Sequence, residues 1–171
     1  TKGGAYLETD TVNPINAYGK SKLMGEQVIQ EFGANYLILR TSWLYSLRRD
    51  NYVLKVLHWA RSQTKMRVVD DQIGSPTSAR MLAEITALAL GMVKQAGDDW
   101  LHERQGIYHL AGDGEASRFE FAKAIIALDP KREEQIVSEL QPAKSVEFPL
   151  PAQRPANTSL NCDKFERAFS L

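Results

Sequence analysis

The sequence predicts an α/β protein built on a parallel sheet, because segments with helical spacing alternate with short apolar runs. The predicted helices are 13–33, 52–63, 79–90, 117–128 and 163–171. The predicted strands are 35–41, 66–69 and 106–110. Short apolar runs of this kind are typical of strands that helices cover on both faces of a parallel sheet.

The first helical segment is delimited by residues that favour helix ends. We expect Asn13 to be the N-cap and Pro14 the first helical residue, where a missing backbone N–H costs nothing. Gly33 is expected to end the helix in the left-handed conformation.

The next two helices are predicted from apolar spacing. Val53, Val56 and Ala60 recur at the spacing of an amphipathic helix. Gly91 is expected to stop the following helix, and the hydrophilic residues 94–105 are expected to form a solvated loop.

Ser117 and Glu120 have the spacing of a capping box and predict the start of a further helix. Its expected core-facing residues are Phe121, Ile125 and Leu128. Prolines are frequent in 129–158, so little regular structure is expected there.

Composition argues against several function classes. Lysine plus arginine and aspartate plus glutamate number 21 each, with no basic stripe, so no nucleic-acid partner is expected. No apolar stretch approaches the roughly 20 residues of a transmembrane helix, so no membrane partner is expected. Cys162 is the single cysteine, which agrees with a reducing cytoplasm. No histidine has partners at metal-binding spacing, so no metal site is predicted.

Tyr18 and Lys22 lie four residues apart in the first helix, so their side chains project from one face. A free tyrosine, with a pKa of about 10, is a poor acid or base near neutrality, but an adjacent ammonium favours the phenolate. The pair is therefore a candidate for proton transfer to or from a substrate oxygen. The alternative is a chance spacing, which occurs on many helices.

Three motifs resemble those of one enzyme family. They are NAYGKSKLMGE followed by LRTSWLY, DDQIGSPT at 70–77, and PAQRPANTSLN at 151–161. The first resembles the YxxxK helix and next strand of extended short-chain dehydrogenase/reductases, and together they resemble the dTDP-4-dehydrorhamnose reductases. The resemblance implies the carboxyl-terminal part of a Rossmann-like, doubly wound parallel sheet with a small α/β substrate-binding portion.

The resemblance also implies a reaction in the biosynthesis of a nucleotide sugar. A dTDP-4-dehydrorhamnose substrate would be reduced to dTDP-L-rhamnose with hydride from NADPH or NADH. Tyr18 would donate a proton to the developing alkoxide, and Lys22 would favour its phenolate and bind the nicotinamide ribose, so both also belong to the cofactor site. The implied substrate-binding residues are Trp43, Gln72, Arg154 and Asn157.

Three of these assignments have a structural alternative. Trp43 either presents an apolar face to the sugar or base, or anchors the core after its strand. Gln72, or Thr77 in the same loop, either contacts the ligand or belongs to a structural turn. Arg154 either makes bidentate hydrogen bonds with a substrate diphosphate or pairs with a carboxylate to fix its loop.

The glycine-rich GxxGxxG turn and the catalytic Ser or Thr of the resembled family have no counterpart in this sequence. We therefore expect a carboxyl-terminal fragment of a longer enzyme, inactive on its own. Within one partial domain, residues 1–70 would be the end of the Rossmann-like part, and 71–171 mainly the substrate-binding portion. The family also implies a possible homodimer.

Two other functions stay open. A non-catalytic, reductase-like regulatory or binding subunit has no need of a proton donor, so the presence of Tyr18 and Lys22 argues against it. A nucleotide-sugar epimerase would share the YxxxK helix, but such enzymes usually continue the next strand into an NVYGP-like segment. The SWLY sequence at 42–45 departs from that pattern.

Overall fold

The computed structural model describes residues 3–171 and contains six α-helices and nine strands within that range. The helices are α1 Ala17–Glu31, α2 Tyr52–Ser62, α3 Ala79–Ala96, α4 Asp98–Arg104, α5 Arg118–Leu128 and α6 Asp163–Phe169. The strands are β1 Leu37–Arg40, β2 Leu44–Tyr45, β3 Lys65–Val69, β4 Ile73–Gly74, β5 Thr77–Ser78, β6 Gly106–His109, β7 Ala116–Ser117, β8 Glu139–Ala143 and β9 Asn157–Thr158. Across residues 3–171, no helix is both long and apolar enough to cross a membrane.

Parallel pairing dominates the sheets, which confirms the predicted α/β class. Strand β1 pairs with β6, β2 with β5 and β3 with β8, all in parallel. Strand β4 pairs in parallel with β9 and antiparallel with β7. The segment 70–77, expected as a loop, therefore contains β4 and the start of β5. Each of these strands has only two residues, too few for an alternating pattern to show in the sequence.

Two apolar clusters hold these elements together. The first joins α2, β3 and α5 through Val56, Ala60, Met66, Val68, Ala122 and Ile125. The second joins α3, β6 and α6 through Ala89, Tyr108, Leu110, Phe165 and Phe169. The helical spacing predicted for 52–63 is thereby confirmed, since Val56 and Ala60 are fully buried.

Helix α1 begins three residues later than predicted. Its N-cap is Asn16 rather than Asn13, and the Asn16 side chain accepts a hydrogen bond from the Gly19 N–H at 2.8 Å. The same side chain donates to the Gln153 carbonyl at 2.9 Å, a tertiary contact that a local pattern cannot reveal. Gly33 follows the helix with φ of 76°, as predicted.

Helix α3 continues through Gly91 and stops before Gly97, which has φ of 89°. The predicted stop at Gly91 was therefore wrong: a glycine in a helix costs only about 1 kcal/mol. The predicted solvated loop at 94–105 was also wrong, because it contains the end of α3 and helix α4. Met92 and Trp100, on these two helices, pack against the second apolar cluster and stabilise them.

Helix α5 has the predicted capping box, with Glu120 N–H donating to Ser117 Oγ at 3.1 Å and Ser117 N–H donating to Glu120 Oε2 at 2.7 Å. Ile125 is buried as expected, but Leu128, at the end of the helix, is 80% exposed. In 129–158, β8 is a five-residue strand despite Pro142. Among the described residues β8 pairs only with β3, and an edge strand tolerates proline.

Candidate functional site

A cleft of about 670 Å³ brings together three of the four predicted substrate-binding residues. Trp43, Gln72 and Arg154 all line it, although they are far apart in the sequence. Its walls come from the residues after β1, from α2 and β3, and from the segment 145–154. The cleft thus lies after the carboxyl end of β1, the edge at which ligands bind in open α/β folds, and extends along β3.

Trp43 occupies a strained and tightly packed position in this cleft. Its φ is 38°, which is uncommon for a residue other than glycine. The indole edge lies against Gly74, where an added Cβ would stand 2.4 Å from Cε2 of Trp43 and 2.5 Å from Nε1. Trp43 is half-buried, so it both packs against the protein and lines the cleft.

Arg118, which the sequence patterns did not single out, lies against the same indole. Its guanidinium carbon is 3.8 Å from the ring centroid of Trp43 and 4.7 Å from that of Tyr52. The Tyr52 hydroxyl donates a hydrogen bond to the Arg118 carbonyl at 2.8 Å. In the sequence, Tyr52 and Arg118 are marked only by their position, since each directly follows the N-cap residue of a helix, Asn51 or Ser117.

Burial shifts the pKa values of both Tyr52 and Arg118. Burial raises the pKa of Tyr52 to about 12, although the nearby Arg118 charge acts in the opposite direction. Burial lowers the pKa of Arg118 to about 10, and the positive charge of Arg154 lowers it further, while Tyr52 acts in the opposite direction. Arg118 therefore stays charged at neutral pH while being partly stripped of water.

The cleft carries uncompensated positive charge. Among residues 3–171, neither the Arg118 nor the Arg154 guanidinium forms an ion pair or a hydrogen bond. The other two cations that line the cleft are each paired, Lys55 with Asp50 and Arg67 with Glu147. The structure thus shows no carboxylate partner for Arg154 in the described part of the chain, and the two free guanidinium groups suit an anion.

One wall of the cleft is fixed through Asp71. The Asp71 carboxylate accepts hydrogen bonds from both the N–H and the hydroxyl of Ser145, each at 3.0 Å. Lys144 forms an ion pair with Asp70 at 2.9 Å. These contacts hold the turn that precedes Phe148, Leu150 and Arg154, all of which line the cleft.

The segment 70–77 gives its residues different roles. Gln72 lines the cleft, and its backbone carbonyl accepts a hydrogen bond from the Arg118 N–H at 3.1 Å. Thr77 is fully buried, with its hydroxyl donating to the Ser75 carbonyl and accepting from the Gly112 N–H. Thr77 therefore makes its contacts within the fold, whereas Gln72 lines the cleft, and a contact between Gln72 and a ligand stays a prediction.

Asn157 is not among the residues that line the cleft. Its side-chain amide donates to the Gly4 carbonyl at 2.8 Å, and its side-chain oxygen accepts from the N–H and hydroxyl of Ser159. These bonds tie the start of the described chain to β9. A contact between Asn157 and substrate stays a prediction.

Tyr18 and Lys22 are neighbours on α1, as their spacing predicts, but they do not line the cleft. The Lys22 ammonium lies 5.9 Å from the Tyr18 ring centroid, and Tyr18 is 71% exposed. Within residues 3–171 Lys22 has no ion-pair partner, so its donors are free for hydroxyl groups such as those of a ribose. Binding of a nicotinamide ribose by this pair stays a prediction.

The described residues do not offer a second part of such a cofactor site. Gly3 and Gly4 form a bend that precedes an isolated bridge at Tyr6 rather than a helix. A dinucleotide pyrophosphate binds at a glycine-rich turn that opens a helix directly after a strand. Residues 3–171 contain no GxxGxxG sequence, and the loop after β6 that holds Gly112 and Gly114 leads into β7 before α5 begins.

No group of three or more histidine, cysteine, aspartate or glutamate side chains within residues 3–171 is arranged to hold a metal ion. His109 is buried, with its Nδ1 at 3.1 Å from the Tyr6 carbonyl, and burial lowers the pKa of its imidazole. Burial likewise raises the pKa of the Cys162 thiol. Both groups are held within the fold, apart from the cleft.

The α/β fold of this chain is shared with solved structures of low sequence identity. UDP-glucose 4-epimerase from Thermus thermophilus superimposes with a TM-score of 0.71, at 18% identity, over 99% of this chain and 53% of that chain. dTDP-glucose 4,6-dehydratase from Bacillus anthracis gives a TM-score of 0.69 at 14% identity. At these identities the likeness concerns the fold alone.

The chain belongs to the RmlD substrate binding domain family, whose model matches residues 1–171. It is 40% identical over 168 residues to dTDP-4-dehydrorhamnose reductase of Sinorhizobium fredii, covering 97% of this chain and 55% of that protein. The dTDP-4-dehydrorhamnose reductase of Escherichia coli K12 is 35% identical, and the match covers 97% of this chain and 54% of that protein. The chain thus spans about half the length of the curated relatives it matches.

Solved structures agree with this family. A dTDP-4-dehydrorhamnose reductase from Clostridium acetobutylicum superimposes with a TM-score of 0.81 at 31% identity, over 97% of this chain and 54% of that chain. The reductase from Bacillus anthracis, solved in complex with NADP, gives a TM-score of 0.76 at 32% identity, over 94% and 51%.

Proposed function

We propose that the full-length protein containing this chain reduces dTDP-4-dehydrorhamnose to dTDP-L-rhamnose with NADPH or NADH. The chain would supply the substrate cleft and the proton donor. The observation that carries the proposal is the meeting of Trp43, Gln72 and Arg154 in one cleft with two unpaired guanidinium groups. The relatives named as dTDP-4-dehydrorhamnose reductases support this choice of substrate.

In this proposal the cleft binds the nucleotide sugar by complementary chemistry. Trp43 offers an aromatic surface to the sugar or base, which needs little hydrogen-bond precision. Arg154 offers paired N–H donors to phosphate oxygens, and Gln72 offers both a donor and an acceptor to hydroxyl groups.

Tyr18 would act at the reacting carbonyl. When bound, the nicotinamide cofactor supplies the hydride that reaches the carbonyl carbon. Tyr18 gives its phenolic proton to the oxygen as negative charge develops there, and the Lys22 ammonium stabilises the phenolate that remains. Lys22 also donates hydrogen bonds to the ribose hydroxyls, which orients the cofactor relative to Tyr18.

The chain taken alone would lack turnover under this proposal. The pyrophosphate-binding turn is not found among residues 3–171, so tight binding of a nicotinamide dinucleotide is not expected. The cleft itself lies within the described residues, so weak affinity for dTDP sugars is expected to remain.

A non-catalytic binding subunit is the second candidate function. The observation that favours it is the position of Tyr18 and Lys22 outside the cleft lining. Such a subunit would bind the dTDP sugar without oxidising NADPH, which separates the two candidates experimentally.

A homodimer and a cytoplasmic location stay predictions within this proposal. Helix α1 has no buried residue, and it leaves Met24, Val28 and Ile29 exposed, which provides an apolar surface for a second copy. The single, half-buried Cys162 is compatible with a reducing compartment.

The test is NADPH-dependent turnover by the full-length protein. Incubation with dTDP-4-dehydrorhamnose should oxidise NADPH and yield dTDP-L-rhamnose, and Tyr18→Phe should lower kcat by about 100-fold or more. Oxidation that proceeds equally fast in Tyr18→Phe would remove Tyr18 from the mechanism. If the wild type binds dTDP-L-rhamnose but never oxidises NADPH, the binding-subunit candidate replaces the enzyme.

A further inference from the structure

We infer that Arg118 is a second diphosphate-binding residue, which acts with Arg154 on the nucleotide sugar and is held in place by Trp43 and Tyr52. The inference rests on the proposed function, because it specifies how the same cleft binds its ligand. Arg118 lies outside the three motifs that resemble those of the family.

The position of the Arg118 guanidinium is fixed before any ligand arrives. The faces of Trp43 and Tyr52 lie 3.8 and 4.7 Å from its central carbon. Its backbone is fixed as well, since the Tyr52 hydroxyl binds the Arg118 carbonyl and the Gln72 carbonyl accepts from the Arg118 N–H. Stacking on aromatic faces leaves the in-plane N–H donors of an arginine available, so little side-chain entropy is lost when an anion binds.

The charge of the cleft favours an anion with two phosphates. Arg118 and Arg154 are close enough for the positive charge of one to influence the titration of the other. Neither has a carboxylate partner in residues 3–171, unlike Lys55 and Arg67 in the same cleft. A diphosphate esterified at both ends carries one negative charge on each phosphorus at neutral pH, so the two guanidinium groups and the two phosphates match in charge and number.

A purely structural role for Arg118 would give a different result. In that case the guanidinium would only fill space between Trp43 and Tyr52, and its loss would loosen the cleft for every part of the ligand. If Arg118 contacts the diphosphate, its loss instead weakens the binding only of ligands that carry phosphate. The comparison of thymidine with dTDP on the same variant therefore separates the two roles.

The experiment is calorimetric titration of the full-length protein with thymidine and with dTDP. Arg118→Met keeps an apolar stem over the rings and removes the charge, so its Kd for dTDP should rise by about 10- to 100-fold while the Kd for thymidine changes by less than about twofold. Arg118→Lys keeps the charge but not the planar fork and should lie between wild type and Arg118→Met. Arg80→Met is the matched control, because Arg80 is an exposed residue on α3, paired with Glu84 and outside the cleft.

Each result has a distinct meaning. An equal loss of thymidine and dTDP affinity in Arg118→Met, or unchanged dTDP affinity in both Arg118 variants, would overturn the inference. Thermal melting shows whether each variant is folded. If Arg118→Met is unfolded, the inference is tested with Arg118→Lys. A wild-type protein that binds neither dTDP nor dTDP-L-rhamnose would overturn the proposed function itself, together with this inference.

Discussion

The indole of Trp43 lies directly against Gly74, where an added Cβ would stand 2.4 Å from the indole Cε2. The same Cβ would also stand 2.7 Å from the hydroxyl oxygen of Thr158. Contacts this short cannot persist, so any side chain at position 74 forces the indole to move. The shape of the cleft thus depends on the absence of a side chain at that position.

Gly74→Ala is therefore expected to destabilise the protein and to weaken ligand binding. Displacing Trp43 should cost about 1 to 3 kcal/mol of unfolding free energy, measured by urea denaturation. Gly91→Ala is the matched control, because no atom lies within 4 Å of its Cβ position inside α3. That variant should gain about 0.5 to 1 kcal/mol, and a similar gain in Gly74→Ala would refute the packing argument.

Asp71→Asn tests the fixed wall of the cleft. The substitution weakens the hydrogen bonds that Asp71 accepts from Ser145 and so loosens the turn before Phe148. In the full-length protein, KM for the dTDP sugar should rise by about 5- to 10-fold with little change in kcat, because no reacting group is touched. Asp99→Asn, on α4, is the control and should leave KM unchanged.

Asp129 gives the stability of the protein a dependence on pH. Burial raises the pKa of its carboxyl, but hydrogen bonds from Gln135, Lys131 N–H and Arg61, with the charge of Arg61, outweigh burial and lower the pKa below its usual value. The folded state thus holds the proton less tightly than the unfolded state, so the stabilisation is present above the unfolded pKa of about 3.9 and is lost as the pH falls through the folded pKa.

Asp129→Asn should remove this part of the pH dependence. Urea denaturation at pH 7 should show a loss of about 2 to 3 kcal/mol, since a buried carboxylate with two hydrogen bonds to Arg61 is replaced. The difference between variant and wild type should shrink at acidic pH. A difference that stays the same from pH 7 to pH 3 would contradict the assigned role.

The elements set by local spacing were predictable from the sequence. The apolar positions of α2, the capping box of α5 and the side-by-side placement of Tyr18 and Lys22 all depend on residues within one or two helical turns. The predictions were wrong where contacts between residues far apart in the sequence determine the ends of a helix. Asn16 is the N-cap of α1 while it also binds the Gln153 carbonyl, and Gly91 is inside a helix that packing stabilises.

The candidate site was predictable only where a motif carried it. The resemblance pointed to Trp43, Gln72 and Arg154, and the structure places all three in one cleft. Arg118 and Tyr52 were missed because their contact with Trp43 joins positions 43, 52 and 118, and no periodic pattern spans such distances. Thr77 was an alternative to Gln72 in the sequence, but its complete burial makes it structural.

The most direct test of the central claim is calorimetric titration of the full-length protein with dTDP-L-rhamnose. The wild type should bind, Trp43→Ala should weaken binding by at least about tenfold, and Tyr18→Phe should keep the affinity within about threefold. The Trp43 result would place the sugar nucleotide in the cleft, and the Tyr18 result would separate binding from chemistry. Absence of wild-type binding, or equal affinity in Trp43→Ala, would contradict the account.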